Sequence, residues 1–98
     1  MRIVARSTLM AFGRSHANAK TPLEDWFRVC RKAAWTGPAD AKTAFGTRVD
    51  ILPRNRAVFD LGGNKYRLVT VILYRSGIMY VRFIGTHAEY DKINAATI

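Results

Sequence analysis

Leu61 to Gly77 reads LGGNKYRLVTVILYRSG, and the fold turns on it. Gly62-Gly63-Asn64 is a hairpin turn, because glycine adopts positive φ without a steric penalty. Ser76-Gly77 turns the chain again. Between the two turns, Lys65 to Tyr74 is the longest strand candidate. Its centre, VTVIL, is apolar at both parities, so it is expected to be buried on both faces. Working backwards, Ala57–Leu61 forms the preceding strand. Arg48–Leu52 alternates before it, with Val49 and Ile51 on one side, and Pro53-Arg54-Asn55 turns between the two. Working forwards, Ile78–Ile84 is the last strand. A period of two across the second half of the chain predicts an antiparallel meander.

The first half has a different rhythm. Arg2–Ala5 reads as a short strand. Ser7 can cap a helix that runs to about His16, and Ala17–Lys20 is a turn. Thr21-Pro22-Leu23-Glu24 is a helix start, with Thr at the cap, Pro in the first position and Glu in the third. Trp26, Val29, Cys30 and Ala33 recur at helical spacing as an apolar stripe, with Arg28, Arg31 and Lys32 mostly off it. Gly37-Pro38 breaks the pattern. Ala39–Phe45 forms another short helix, stopped by Gly46. The expectation is an α+β fold: an antiparallel sheet of four to five strands, two or three N-terminal helices on one face, and a short C-terminal helix. The other face is expected to be partly open. Residues 1–98 contain no repeat, linker or low-complexity tract and are expected to form a single domain.

Charge narrows the function. The chain has 16 Lys and Arg against 7 Asp and Glu, a net of +9. A small domain this basic points to an acidic partner, most often nucleic acid. Cys30 is the only cysteine, so no intrachain disulfide is possible, which fits a reducing cytoplasm. No signal peptide is read at the N-terminus, and no apolar run reaches membrane-spanning length, so no membrane role is expected. There is no cysteine pair, HExxH or Gly-rich phosphate loop, so neither metal nor cofactor is expected.

The cations gather in the strand half: Arg48, Arg54, Arg56, Lys65, Arg67, Arg75 and Arg82, against Asp50 and Asp60. Lys65 and Arg67 are two apart and share a face. With a two-residue loop at Ser76-Gly77, Arg82 falls opposite Val71 on the Arg67 face; with a three-residue loop it falls on the other. Arginine in so apolar a strand needs a ligand or an ion pair, here with Asp60 or Asp91, and both readings stand. Phe59, Tyr66, Tyr74, Tyr80 and Phe83 interleave with the cations. Such rings can stack on unpaired bases, but most are expected to be packing.

The last stretch, Ile84 to Ile93, reads IGTHAEYDKI. Thr86 and Glu89 form a capping box. His87 is then the first helical residue, where the helix start favours neutral imidazole and Asp91 favours the charged form. Tyr90 and Asp91 fall three and four residues on, on the His87 face. RNA carries its own nucleophile, the 2′-OH. Cleaving it needs groups that move protons and cations that stabilise phosphate charge, and these residue types supply both.

Three segments carry a family resemblance: MRIVARSTL at the start, VFDLGGNKYRLV (Val58 to Val69), and IMYVRFIGTHAEYDKI (Ile78 to Ile93). Together they resemble the HigB toxins of the RelE/ParE-like superfamily, over essentially the whole chain. The match is looser from about Ala33 to Asn55. The resemblance implies a ribosome-dependent mRNA endoribonuclease that acts without metal. It also implies a HigA-like helix-turn-helix antitoxin, with operator DNA reached only through that partner. It places the functional residues at Lys65, Arg67, Arg82, His87 and Tyr90. On this reading Arg67 and Arg82 hold the scissile phosphate, and His87 and Tyr90 move protons. Arg54, Arg56, Lys65 and Arg75 hold RNA, Asp91 orients His87, and Thr86 and Glu89 support the helix turn. The rival readings are a non-catalytic RNA- or ribosome-binding module and a gyrase-targeting toxin.

Overall fold

A computed structural model describes residues 1–98. Five strands form one mixed sheet: β1 (Arg2–Val4), β2 (Val49–Leu52), β3 (Arg56–Leu61), β4 (Tyr66–Leu73) and β5 (Ile78–Thr86), in the spatial order β1-β5-β4-β3-β2. The helices are α1 (Arg6–Ser15), α2 (Lys20–Lys32), α3 (Pro38–Phe45) and the single turn α4 (His87–Tyr90). The α+β architecture is the one expected. Three of the four strand pairings are antiparallel, whereas β1 runs parallel to β5, with Ile3 opposite Met79. Three helices intervene between β1 and the meander, so a crossover to a parallel edge is available.

β4 is the central strand and is covered on both sides, as its apolar run implies. On one side Tyr66, Leu68 and Ile72 meet Leu9, Leu23, Trp26 and Cys30 from α1 and α2. Trp26 and Phe45 both lie edge-on to Phe59 of β3, at centroid distances of 5.5 and 4.9 Å. Edge-to-face pairs of this kind add about 1 kcal/mol each to the burial of the rings. Thr70, fully buried on this side, donates its hydroxyl to Ala57 O at 3.0 Å, so its polarity is satisfied. The opposite side is less open than the sequence suggests. Residues after α4 fold back across it, and Ala95 packs on Val58 and Val69 beside Phe83, Tyr90, Ile93 and Ile98.

Several local expectations shift. α2 begins at Lys20, not after a Thr21 cap, because a 3-10 turn over Ala17–Ala19 runs straight into it. Pro22 is tolerated because the first helical turn has no intrahelical use for its missing N–H. Val29 leaves the apolar stripe and is 44% exposed; the buried positions are Leu23, Trp26 and Cys30. Pro38 opens α3 rather than ending a segment, and Gly46 stops it at φ +60°.

The β4–β5 register also differs from both alternatives. The turn takes four residues, Tyr74–Gly77, with Leu73 opposite Ile78, so Val71 faces Tyr80 and not Arg82. A bulge follows: Val81 faces Thr70 while Phe83 faces Val69. Arg82 is the extra residue, a device that bends a strand and re-aims its side chains. Beyond the bulge Arg67 faces Gly85, and the strand delivers Thr86 opposite Tyr66.

Candidate active site

The end of the sheet where β5 passes into α4 gathers most of the candidate chemistry. Thr86 accepts from Glu89 N at 3.2 Å, and Glu89 Oε1 accepts from Thr86 N at 2.8 Å, so the capping box read from the sequence is present. The Thr86 N–H on its oxygen, with the Thr86 hydroxyl close by, holds the Glu89 carboxyl below its ordinary value. The His87 N–H donates to Lys65 O at 3.1 Å, which pins the start of α4 to the start of β4. Position 85 is crowded: a Cβ there would stand 2.6 Å from the tip of the Phe83 ring and 3.1 Å from Glu89 Oε1, so the ring would have to shift.

His87 Nδ1 lies 3.1 Å from Asp91 Oδ2. The pair is exposed, and the carboxylate accepts from Nδ1–H, which leaves Nε2 as the free basic nitrogen. Tyr90 is half-buried beside Phe83, with ring centroids 6.5 Å apart. Burial pushes its hydroxyl above the ordinary tyrosine value. Asp50, Asp60 and Asp91 add to the rise and Arg67 opposes it. Tyr90 therefore keeps its proton at neutral pH and can donate it.

Arg67 is buried, only 9% exposed, on the same side of the sheet as Tyr90. Its Cζ sits 5.9 Å from the Tyr90 ring centroid. Its guanidinium donates to Asn64 O at 3.3 Å, to Tyr66 O at 3.4 Å and to the Asn64 side-chain oxygen. Nε is 3.1 Å from Asp60 Oδ1. The charges pair, yet that N–H is not aligned on the oxygen, and Oδ1 has no hydrogen-bond donor. Burial accordingly raises the Asp60 carboxyl above its usual value. Arg67 pulls it down, Asp50 raises it further, and the charge of His87 is felt there too. Of the two readings of Arg67, the ion pair with Asp60 is formed.

The remaining candidates are spread out. Lys65 is exposed in the turn before β4, not in the strand, and lies next to the α4 start through its own carbonyl. Arg82 is exposed at the bulge with no ion pair, three residues before Gly85 and so roughly 10 Å along the strand from Arg67. Arg54 and Arg75 occupy exposed turns at the far end of the sheet, and Arg75 lies in the turn beyond the end of β4 opposite to Arg67. Arg56, at that same end, is half-buried and donates to Ile98 O through Nε at 3.2 Å and Nη2 at 2.6 Å. The cations thus fall into two groups at opposite ends of the sheet, with Arg82 between them.

Sequence reasoning did not single out Asn64 or Asp50 as members of this cluster. Asn64 is in the strong hairpin signal, but only the φ of +94° and the return of β4 bring its carbonyl and side chain onto Arg67. Asp50 enters because Asp50, Val58, Val69 and Phe83 line up across four strands.

A RelE-like toxin is the class that this sheet and its helical layer fit. Residues 19–93 match the HigB toxin family, described as the RelE-like toxic component of a toxin-antitoxin system. The chain is 30% identical over 94 residues to an mRNA interferase HigB of Escherichia coli O6:H1, covering 95% of this chain and 91% of that one. It is 26% identical over 96 residues to the mRNA interferase toxin HigB of Escherichia coli strain K12, covering 97% and 92%. The chain belongs to the HigB toxin family. No helix is long and apolar enough to cross a membrane.

Proposed function

We propose that the protein is an endoribonuclease toxin that cleaves mRNA during its translation on the ribosome, and that its partner is a HigA-like helix-turn-helix antitoxin. The observation that carries the reading is the His87–Asp91 pair on the helical turn that also carries Tyr90, whose ring centroid lies 5.9 Å from Arg67 Cζ. Relatives named mRNA interferase support it.

His87 Nε2 takes the proton of the 2′-OH, and the 2′-oxygen attacks phosphorus. The P–O5′ bond breaks, and the leaving 5′-oxygen takes the Tyr90 proton. The products are a 2′,3′-cyclic phosphate and a 5′-hydroxyl, and the reaction needs no metal. Arg82 supplies the unpaired cation for the phosphate. Arg67, mostly committed to Asn64 and Asp60, presents its remaining N–H and holds the site in register. Lys65 stands beside α4 as a backbone contact, while Arg54, Arg56 and Arg75 are placed to meet RNA or ribosome farther along.

The test is cleavage of a defined mRNA by the purified protein, with and without a translating ribosome system, followed by end analysis. Fragments with 2′,3′-cyclic phosphate and 5′-hydroxyl ends that require translation are expected. Ribosome binding without new ends would instead make the protein a non-catalytic binding module. Intact mRNA with DNA breaks in cells would make it a gyrase poison.

A further inference from the structure

The outer surface of the helical layer holds a groove of about 760 Å³ between α1 and α2, away from Arg67 and Asp60 on the other side of the sheet. Leu9, Met10, Leu23 and Phe27 line it. Met10 is 52% exposed, the most exposed large apolar side chain in the molecule. Arg6, Arg14, Lys20, Arg31 and Lys32 also line the groove and carry no ion pair; Arg28 is paired with Asp25, and Glu24 is the single acid. Arg6 lies over the Phe27 ring with Cζ 4.5 Å from its centroid, so the cation and the apolar floor are contiguous.

We propose that this groove docks an acidic amphipathic helix of the antitoxin, its apolar face on Met10 and Phe27 and its carboxylates toward the arginines and lysines. That the helix belongs to the antitoxin rests on the toxin–antitoxin reading above; its chemistry is set by the groove. An apolar floor between charged walls suits a helix presenting apolar anchors at i, i+3, i+4 and i+7. An unbranched methionine at the mouth adapts its shape to such anchors. RNA would neutralise the walls but has no aliphatic groups for the floor. A second copy of this chain would set cations against cations at a net +9 each.

The test uses the whole protein and two labelled peptides about four helical turns long. One carries leucines at helical spacing flanked by glutamates. The other has the same residues permuted so that the stripe is lost. The patterned peptide should bind at least roughly ten-fold more tightly than the permuted one, with amide NMR shifts confined to α1 and α2. Met10→Glu and Arg31→Glu, both at exposed positions, should each weaken it by roughly ten-fold or more while circular dichroism stays unchanged. His87→Ala should bind like the wild type, so loss of mRNA cleavage and loss of docking are read separately. Equal binding of both peptides, no binding of either, shifts outside α1 and α2, or displacement of the peptide by an oligouridine RNA would overturn the proposal.

Discussion

Arg67 is tolerated in an apolar strand because Asp60 and Asn64 meet it there. Removing one charge of such a pair leaves the other buried, which costs more than the pair is worth. Arg67→Ala should therefore lower stability by about 2 kcal/mol, and Asp60→Asn in the same chain should recover roughly half of that loss. Urea denaturation of the two single variants and the double variant checks this; simple additivity would contradict it. Tyr90 gives a pH signature. Its hydroxyl is raised in the fold, first by burial and then by Asp50, so its contribution to stability is present below the ordinary tyrosine value and is lost as pH rises through the raised one. The alkaline decline in melting temperature should be shallower in Tyr90→Phe. At this scale residue types and chain neighbours were legible before the fold was known. The spacing His87, Tyr90, Asp91 was legible because a helical turn is local. The Arg67–Asn64 clamp was not, because it depends on how one turn closes.

At the scale of elements, the capping box does two jobs: it starts α4 and fixes where His87 stands. Thr86→Ala should cost about 1 kcal/mol, as lost N-caps do. It should also reduce cleavage, because His87 then loses the turn that presents it. Denaturation together with a cleavage assay reads both effects, and unchanged cleavage would separate the cap from the site. The box itself could be read from Thr86-x-x-Glu89, since the bonds run within four residues. The strand register could not. Whether the β4–β5 turn uses two, three or four residues, and whether a bulge follows, depends on the packing of Met79, Val81 and Phe83 against two different layers. The position of Arg82 follows from that packing. Val29 teaches the same lesson, since helical spacing marked a stripe wider than the face that the sheet covers.

For the molecule as a whole, the meander and the helical layer follow from the switch of hydrophobic period near Gly46, and that switch was visible in the sequence. The return of residues 92–98 across the second face was not, because INAATI has neither a helical nor a strand period. Ala95 is 7% exposed over Val58 and Val69. Ala95→Asp would push a carboxylate into the apolar contact with Val58 and Val69 and should cost about 2 kcal/mol or more. Thermal melts check that value, and a neutral outcome would mean that the face is covered only loosely. With a net charge of +9, binding to an RNA fragment should weaken steeply with salt whichever functional reading holds, so salt titration cannot decide the chemistry. Primer extension can. It would be run on a reporter mRNA after a short pulse of expression, comparing wild type with His87→Ala, Tyr90→Phe and Arg82→Ala, with and without translation blocked. Discrete new 5′ ends that need translation, falling by roughly a hundred-fold or more in His87→Ala, are the result predicted. Undiminished ends in both His87→Ala and Tyr90→Phe would contradict the site, and an arrest of growth with no new ends would contradict the nuclease.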